Sequence, residues 1–265
     1  MAPSDLTTDR SRGFAGRVRD CFGRGAAGYE QGAALQASVA ARLGHLCRPL
    51  AAQVPPGPRA DLGAGSGLLG RAIEANLAGA PLLRVDQCPE LLGLERKRHP
   101  WVGEHQLLWD LNGGLPRQLQ GAALLSSSFA LQWLEDPAQQ LLHWCTQLRP
   151  GGWMVLAVPT AASFGIWHAA AASAGVPFSG LELPDAAGLE AVASSELRMH
   201  RVQRLRFSRP NRGALAFLRR IRTIGAQASR RDPLSPAALR QLIAHWPGAD
   251  QPLIWEVLLL IGQRP

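Results

Sequence analysis

The stretch DLGAGSG, residues 61–67, places three glycines at alternating positions after a predicted strand and before a predicted helix. Glycine in such a turn lets the backbone bend sharply and approach a ligand without a clashing Cβ atom. The spacing is GxGxG, not the GxGxxG that cradles a dinucleotide pyrophosphate. The preceding acid, Asp61, disfavours a phosphate and favours a ligand with positive charge. Gly63, Gly65 and Gly67 therefore predict a ligand-binding turn, with a purely structural turn as the alternative.

Polar side chains follow the next three predicted strands. Asp86 ends the second strand, where an acid can accept hydrogen bonds from both hydroxyls of a ribose. Asp110 ends the third strand, where it can face an adenine amino group while Trp109 covers the ring; capping of the following helical turn is the alternative. Ser126 lies on the fourth strand. Together with Asp61, this order predicts S-adenosylmethionine, whose amino group and sulfonium supply the positive charge.

These residues require a parallel sheet to bring them together. Short apolar runs alternate with helix-like segments along the chain, and this alternation is typical of βαβ units. The runs predict strands ending near residue 62 and spanning 81–86, 105–110, 122–128, 153–159, 197–207 and 253–262. Helices are expected over 18–52, 67–77, 89–97, 136–148, 211–226 and 235–246, and 161–196 is expected to be largely helical.

Charge is distributed unevenly over the 265 residues. The formal net charge is +8, and the segment 198–231 contains eleven arginines and no acid. Such a balance suggests an acidic partner, which could be nucleic acid, a membrane surface or a protein. Arginine is abundant throughout the chain while lysine occurs once, at Lys97, which indicates a codon bias. The position of the arginines is therefore more informative than their number.

The four cysteines and the termini exclude several other classes. The cysteines form no CxxC pair and no Cys/His cluster with zinc-ligand spacing, so we expect reduced, buried thiols and no metal site. The N-terminus lacks a signal-peptide core, and no apolar run reaches membrane-spanning length. We expect a soluble, cytoplasmic protein.

If the predicted S-adenosylmethionine donates a methyl group, the residues after the fourth strand narrow the choice of the group that accepts it. SSSFALQW contains no polar, proline-rich signature of enzymes that methylate amines in bases, and no cysteine pair suits RNA carbon methylation. An obvious general base is also missing, since His143 and His168 suit packing or surface positions better. A carboxylate acceptor needs no base because it is already ionised at neutral pH. It needs only alignment with the sulfur–methyl bond.

Two resemblances extend this interpretation. The segment LRPGGWMVLAVP, together with the glycine turn and acids, resembles class I S-adenosylmethionine-dependent methyltransferases over about 55–160. That family implies an α/β, Rossmann-like fold, with a seven-stranded, mostly parallel sheet, helices on both faces, a helical lid insertion and a reversed last strand at 253–262. CFGRGAAGYEQGAALQ, ALQWLEDP and IRTIGAQASRRDPLS resemble malonyl-acyl carrier protein O-methyltransferase of the biotin pathway, over nearly the whole chain.

The second resemblance implies roles for further residues. It implies methylation of the free carboxyl of malonyl-acyl carrier protein, an acidic protein substrate that the arginine-rich segment could dock. Tyr29, the single tyrosine, matches a lid residue near the methionine end or the attacking carboxylate, and Gln36 matches a cofactor contact on the same lid. Arg222 matches the basic residue before IGA and is assigned to the substrate. A core tyrosine and a solvated helix face are the respective alternatives for Tyr29 and Arg222.

The resemblance also implies a division of the chain. We expect an N-terminal lid over 1–52, a cofactor-binding core over 53–160, and the rest of the fold over 161–265, with an arginine-rich helical insertion at about 209–250. A monomer that binds no nucleic acid and no membrane is expected. The alternatives are a methyltransferase for another small carboxylic acid or a quinone-type molecule, and an RNA-binding or RNA-modifying protein that uses the arginine-rich face.

Overall fold

A computed structural model describes residues 13–77, 79 and 81–265. Its centre is a seven-stranded sheet made of β1 (Arg59–Leu62), β2 (Leu83–Asp86), β3 (Gln106–Leu108), β4 (Ala122–Ser128), β5 (Leu148–Pro159), β6 (Arg198–Arg209) and β7 (Leu253–Gln263). The strand order is β3-β2-β1-β4-β5-β7-β6. The seven strands predicted from the apolar runs are all present, with small differences at their ends.

The pairing of the strands decides where a ligand can bind. The strands from β3 to β5 pair in parallel, whereas β7 runs antiparallel to both β5 and β6. The reversed last strand expected at 253–262 is therefore confirmed. From β1 the chain winds outward to β2 and β3 and then returns to β4 on the other side. A crevice forms at the carboxyl ends of parallel strands where the order reverses in this way.

Nine helices are described: α1 (Phe14–Gly32), α2 (Ala34–Leu46), α3 (Leu68–Glu74), α4 (Pro89–Arg98), α5 (Pro137–Thr146), α6 (Gly165–Ser173), α7 (Ala186–Glu196), α8 (Ala214–Thr223) and α9 (Pro236–Ala244). The helical region expected over 18–52 is two helices, because the chain leaves helical geometry at Ala33. The region 161–196 is interrupted after α6, where Gly175 has a positive φ of 63° and prolines at 177 and 184 disfavour continuation.

The sheet is covered on both faces, so its central strands are apolar on both sides. Leu156 of β5 packs in the cluster that includes Trp144 of α5 and residues of α7. The preceding residue, Val155, packs in the opposite cluster with Leu43 of α2 and Ile73 of α3. Successive side chains of a strand point to opposite faces. This explains why β4, β5 and β7 read as continuous apolar runs rather than alternating ones.

The connection between β6 and β7 contains α8 and α9, within the range expected for a helical insertion. It packs on α6 through an aromatic cluster that includes Trp167, Phe217 and Trp255. The division of the chain into a lid, a core and a remainder stays a prediction. The first twelve residues of the expected lid segment lie outside the described residues.

Three further properties concern the described part of the chain. The four cysteines, residues 21, 47, 88 and 145, are free and buried, as their spacing predicts. Among the described residues, no group of three or more His, Cys, Asp or Glu side chains is arranged to hold a metal ion. The helices found there are all too short or too polar to cross a membrane.

Candidate functional site

The turn after β1 has the conformation that its glycines predict. Gly63, Gly65 and Gly67 have φ angles of 66°, 56° and 78°, in the left-handed region that disfavours a Cβ atom. A Cβ atom on Gly63 would lie 2.2 Å from the Cβ atom of Ala130, and one on Gly67 would lie 2.0 Å from Cδ of Glu95. Both conformation and space therefore require glycine at the first and third positions of the turn.

A cavity of about 610 Å³, open to solvent, lies over this turn. The walls come from the carboxyl ends of β2 and β4, from α1, and from the segments that follow β3 and β4. They include the predicted residues Tyr29, Gly63, Gly65, Asp86, Trp109 and Asp110. The tertiary structure thus brings residues from five separate chain segments to one cavity.

Asp86 is held by the backbone at the end of β2. Its Oδ2 atom accepts a hydrogen bond from the Gly65 amide at 2.8 Å, and its Oδ1 atom accepts one from the Cys88 amide at 2.8 Å. Burial raises the pKa of Asp86, and these amide hydrogen bonds oppose that rise. Each carboxylate oxygen retains a further lone pair. A fixed carboxylate of this kind can accept two hydroxyl groups side by side.

Asp110 caps a turn and also lines the first cavity. Its Oδ1 atom accepts hydrogen bonds from the backbone amide and side-chain amide of Asn112, at 3.0 and 2.9 Å, so it caps a short 3₁₀ turn. It also lines the cavity beside Trp109, whose indole Nε1 donates to the Gly114 carbonyl oxygen at 2.8 Å. Capping occupies one carboxylate oxygen and leaves the other available to a ligand amino group.

A second cavity of about 320 Å³ adjoins the first and shares Tyr29, Gly63 and Ser128 with it. Gln36 and Asp61, both predicted as cofactor contacts, lie in its wall together with Ser66. The hydroxyls of Ser66 and Ser128 are buried and have no hydrogen-bond partner among the described residues. A buried hydroxyl without a partner costs about 1–3 kcal/mol. These two orphaned groups indicate that the cavity is built for a polar ligand group.

Asp61 is the charged group of this second cavity and is almost fully buried. Its Oδ2 atom accepts from the Gly70 amide at 2.9 Å, and its Oδ1 atom accepts from the Ser126 hydroxyl at 3.0 Å. Burial raises the pKa of Asp61 to about 7, although the charge of Arg84 and these hydrogen bonds lower it. The site therefore contains a carboxyl group that a nearby cation would keep ionised.

Ser126 lies beneath the site, and Ser128 occupies the position expected for it. Ser126 is fully buried beside Asp61 and lines neither cavity, whereas Ser128 lines both. The reason is register, because Asp61 pairs with Ser126 in the parallel ladder and the strand continues for two more residues. The three consecutive serines indicated a polar strand end, but only the pairing of β1 with β4 shows that Ser128 reaches that end and Ser126 does not.

Tyr29 projects from α1 to the boundary between the two cavities. Burial, and to a smaller extent the negative charge of Asp86, raise the pKa of Tyr29. The phenol therefore stays protonated at neutral pH and acts as a hydrogen-bond donor, not as a base. Its ring lies in an edge-to-face pair with Phe22, which pairs in turn with Trp133. These rings form an apolar wall beside the polar end of the site.

Arg222 is not brought to either cavity. It is exposed on α8, whereas the residues that follow it contact α1. A Cβ atom on Gly225, which has a φ of 74°, would lie 2.6 Å from Cα of Phe22, and one on Gly25 would lie 2.6 Å from the Gly225 nitrogen. The IGA segment thus packs backbone against backbone and positions α1 over the site. The assignment of Arg222 to the substrate stays a prediction.

Arg19 is a cavity residue that the sequence analysis missed. It lies on α1 and lines the first cavity, near the apolar wall formed by Phe22 and Trp133. Its Nη2 atom is 3.4 Å from Oδ1 of Asp20, and about half of the side chain is exposed. Nothing in the sequence distinguishes Arg19 from the other arginines of the N-terminal region, because only the packing of α1 decides which of them faces the cavity.

Solved structures with the same architecture are methyltransferases. A proposed methyltransferase from Bacillus halodurans C-125 matches with a TM-score of 0.60 at 13% identity, over 86% of this chain and 99% of that one. Geranyl diphosphate C-methyltransferase from Streptomyces coelicolor A3(2), in complex with Mg²⁺, geranyl diphosphate and S-adenosyl-L-homocysteine, matches with a TM-score of 0.51 at 13% identity, over 84% and 78% of the two chains. The chain therefore has the fold of the class I S-adenosylmethionine-dependent methyltransferases.

The relatives found by sequence indicate a narrower family than the fold does. The biotin biosynthesis bifunctional protein BioCD of Bordetella avium is 32% identical over 219 residues, which are 81% of this chain and 45% of that protein. The malonyl-acyl-carrier-protein O-methyltransferase of Magnetococcus marinus is 28% identical over 233 residues, 86% of this chain and 84% of that one. The chain is thus a relative of the malonyl-acyl-carrier-protein O-methyltransferases, which confirms the resemblance. It spans less than half the length of the Bordetella protein, and no protein-family model matches.

Proposed function

We propose that the chain binds S-adenosylmethionine in the two adjoining cavities and transfers its methyl group to a carboxylate oxygen. The observation that carries this proposal is the pair of fixed acids around the glycine turn. Asp86 is held by the Gly65 amide at 2.8 Å and Asp61 by the Gly70 amide at 2.9 Å, each in the wall of a different cavity. One acid suits the ribose hydroxyls, and the other suits the positively charged methionine end.

Each part of the cofactor has candidate partners. Asp86 would hold the ribose, and Asp110 with Trp109 would hold the adenine. The methionine end would lie in the second cavity, where Asp61 offers charge and a larger set offers hydrogen bonds: Gln36, Ser66 and Ser128. When bound, the cofactor supplies a methyl group on a positively charged sulfur. The glycines at 63, 65 and 67 let the backbone approach it closely.

The walls of both cavities fit a carboxylate acceptor better than an acceptor that must lose a proton. Among the described residues, neither histidine nor lysine lines either cavity. A carboxylate is ionised at neutral pH without a base, and its oxygen can attack the methyl carbon while the carbon–sulfur bond breaks. Tyr29, kept protonated by burial and Asp86, can donate a hydrogen bond that orients the acceptor. Catalysis is then alignment of the two reactants.

The acceptor we propose is the free carboxyl of malonyl-acyl carrier protein. The relatives with that activity in their names support it, and so does the basic character of the chain, since the partner is acidic. Arg19 lies on α1 in the wall of the first cavity, where a guanidinium can bind a carboxylate or phosphate of the incoming substrate. Exposed charges of this kind mainly raise the rate of association and are screened by salt.

The test is mass spectrometry of malonyl-acyl carrier protein after incubation with the protein and S-adenosylmethionine. A gain of one methyl group, lost again on mild ester hydrolysis, is the expected result. Acetyl-acyl carrier protein, which lacks the free carboxyl, is the matched control and should not change. Methylation of a small malonyl thioester with the carrier protein left unmodified would instead support the small-acid alternative. Modification of both carrier proteins, or of neither, would contradict the proposal.

A further inference from the structure

A buried arginine lies directly beneath the glycine turn. Arg84 is on β2, two residues before Asp86, and is fully buried. Its Nη1 and Nη2 atoms donate to the two carboxylate oxygens of Glu74 at 2.6 and 2.7 Å, and its Nε atom donates to Oε1 of Glu95 at 3.2 Å. Bidentate pairing fixes the plane of a guanidinium. Arg84 is therefore held rigidly in the interior, although nothing assigned above to the cofactor or acceptor uses it.

The buried side chains of Arg84 and Glu95 lie against the backbone that leads from the glycine turn into α3. A Cβ atom on Gly70 would lie 2.6 Å from Cζ of Arg84, and one on Gly67 would lie 2.0 Å from Cδ of Glu95. Glycine is thus present at both positions because the ion pair fills the space. The Gly70 amide donates to Asp61 at 2.9 Å. The ion pair, the first turn of α3 and the Asp61 carboxylate consequently form one packed unit.

Charged groups approach Asp61 from three of the packed elements. Arg84 faces it from β2 and Glu95 from α4, while α3 contributes Glu74, which binds Arg84, and Arg71, whose Nη1 atom lies 3.4 Å from Oε1 of Glu95. Two uncharged donors also contact Asp61: the Ser126 hydroxyl of β4 and the Gly70 amide. Arg84 is the cation whose charge lowers the pKa of Asp61, and Glu95 is the anion that raises it.

We propose that Arg84 is a positioning residue of the cofactor pocket. With Glu95 it supports the backbone from Gly67 to Gly70, and it supplies the positive charge that keeps Asp61 ionised toward the methionine end of the cofactor. The inference rests on the proposed cofactor site. It goes beyond that site because Arg84 lines neither cavity and acts only through Asp61 and the turn.

This role predicts a charge effect that a purely structural ion pair does not have. If the methionine amino group binds ionised Asp61, affinity for S-adenosylmethionine rises with pH as Asp61 loses its proton. Arg84→Met removes the cation, so the midpoint of that rise should move upward by about one pH unit, and binding at neutral pH should weaken roughly five-fold. Glu95→Gln keeps the shape and removes the anion, so the midpoint should move downward. Arg84→Lys keeps the charge and should keep the midpoint.

The experiment is isothermal titration calorimetry of the full chain with S-adenosylmethionine over a pH series, with folding checked by circular dichroism. 5′-Methylthioadenosine, which lacks the amino-acid end, is the ligand control, and its affinity should show none of these shifts. Glu256→Gln is the variant control. It alters another buried carboxylate, which binds Arg206 and Thr160 away from the cavities, and should leave the midpoint unchanged.

The possible outcomes separate the two proposals. Opposite shifts in Arg84→Met and Glu95→Gln support the role of Arg84. Equal weakening at every pH, with the midpoint unmoved in both variants, would make Arg84 a structural residue only and overturn the inference while the cofactor site stands. If Arg84→Met does not fold, Glu95→Gln and Arg84→Lys still show whether the midpoint of the pH dependence moves in the expected direction. A wild-type chain that does not bind S-adenosylmethionine removes the proposed function, and this inference with it.

Discussion

Charged side chains are buried in the pocket at the ends of β1 and β2, whereas they are exposed at the outer edge of β6. At the pocket, Asp61 and Asp86 are buried and receive hydrogen bonds from backbone amides. At the edge, the solvent-exposed Arg204 pairs with the partly exposed Glu190 at 3.2 Å. A buried charge is costly unless its partners are fixed, whereas an exposed ion pair contributes little. The two buried pocket charges are therefore the ones held in fixed positions.

The arginine-rich segment, residues 198–231, is divided between two surfaces. Its first part lies on β6, which ends the sheet three strands away from β4. Its last part packs near α1, where the Arg230 guanidinium lies 4.2 Å from the ring centroid of Phe14 and donates to the Leu134 carbonyl oxygen at 2.7 Å. One uninterrupted basic stretch of sequence thus contributes to two distant surfaces. On β6, arginines discourage pairing of the exposed strand edge with another chain.

The largest effect should come from filling the glycine turn. Gly63→Ala adds a Cβ atom 2.2 Å from that of Ala130 at a φ of 66°. Left-handed backbone strain and overpacking together should cost about 2–5 kcal/mol, and binding of S-adenosylmethionine should be lost. Chemical denaturation and calorimetry measure both effects. Gly93→Ala, in α4 with no atom within 4 Å of the new Cβ, should leave binding unchanged and raise stability by at most about 1 kcal/mol; equal damage from the two substitutions would contradict the close approach.

The pH dependence of stability should come next in size. The pKa of Asp61 is raised from 3.8 to about 7 in the folded chain, so the native state binds more protons than the unfolded state in that window. The free energy of unfolding should therefore fall as pH rises from about 4 to about 7, by at most about 4 kcal/mol from this group. Asp61→Asn should reduce the slope in urea titrations. An unchanged slope would show that Asp61 does not titrate in that range.

A smaller loss is expected from the ribose acid. Asp86→Ala removes a charged acceptor of two hydroxyl groups, so S-adenosylmethionine binding should weaken by about 1.5–3 kcal/mol. Asp110→Ala should weaken it less, because Asp110 is exposed and already caps the turn at Asn112. Calorimetry on both variants gives the ranking. Unchanged affinity in a folded Asp86→Ala variant would remove this acid from the cofactor site.

The smallest effects separate the two arginine surfaces. Arg19→Glu should raise KM for malonyl-acyl carrier protein several-fold at low salt, since it reverses a charge in the cavity wall, and the effect should shrink as salt rises. Arg198→Glu with Arg201→Glu makes a larger charge change on β6 and should leave KM and kcat close to wild type. Steady-state kinetics at two salt concentrations tests this. A larger effect from the β6 pair would place carrier-protein docking at the sheet edge instead.

Local sequence was sufficient for much of the fold and for part of the site. The apolar runs predicted the central strands because a strand buried on both faces is a continuous apolar segment in the sequence. Asp86 lies at the end of β2, as that run predicts, and the glycines of the turn have the positive φ angles that few other residues adopt. The break between α1 and α2, where the chain leaves α-helical geometry at Ala33, was missed.

What the sequence determined by itself is the set of elements and the backbone geometry of the turn, because both depend on neighbours within a few residues. What only the tertiary structure decided is which side chains share a space. Register placed Ser128 at the strand end and Ser126 beneath it. The packing of α1 brought Arg19 to the cavity, and that of α8 left Arg222 outside. Such contacts join residues far apart in the chain, and their choice depends on how whole elements pack, which no local pattern records.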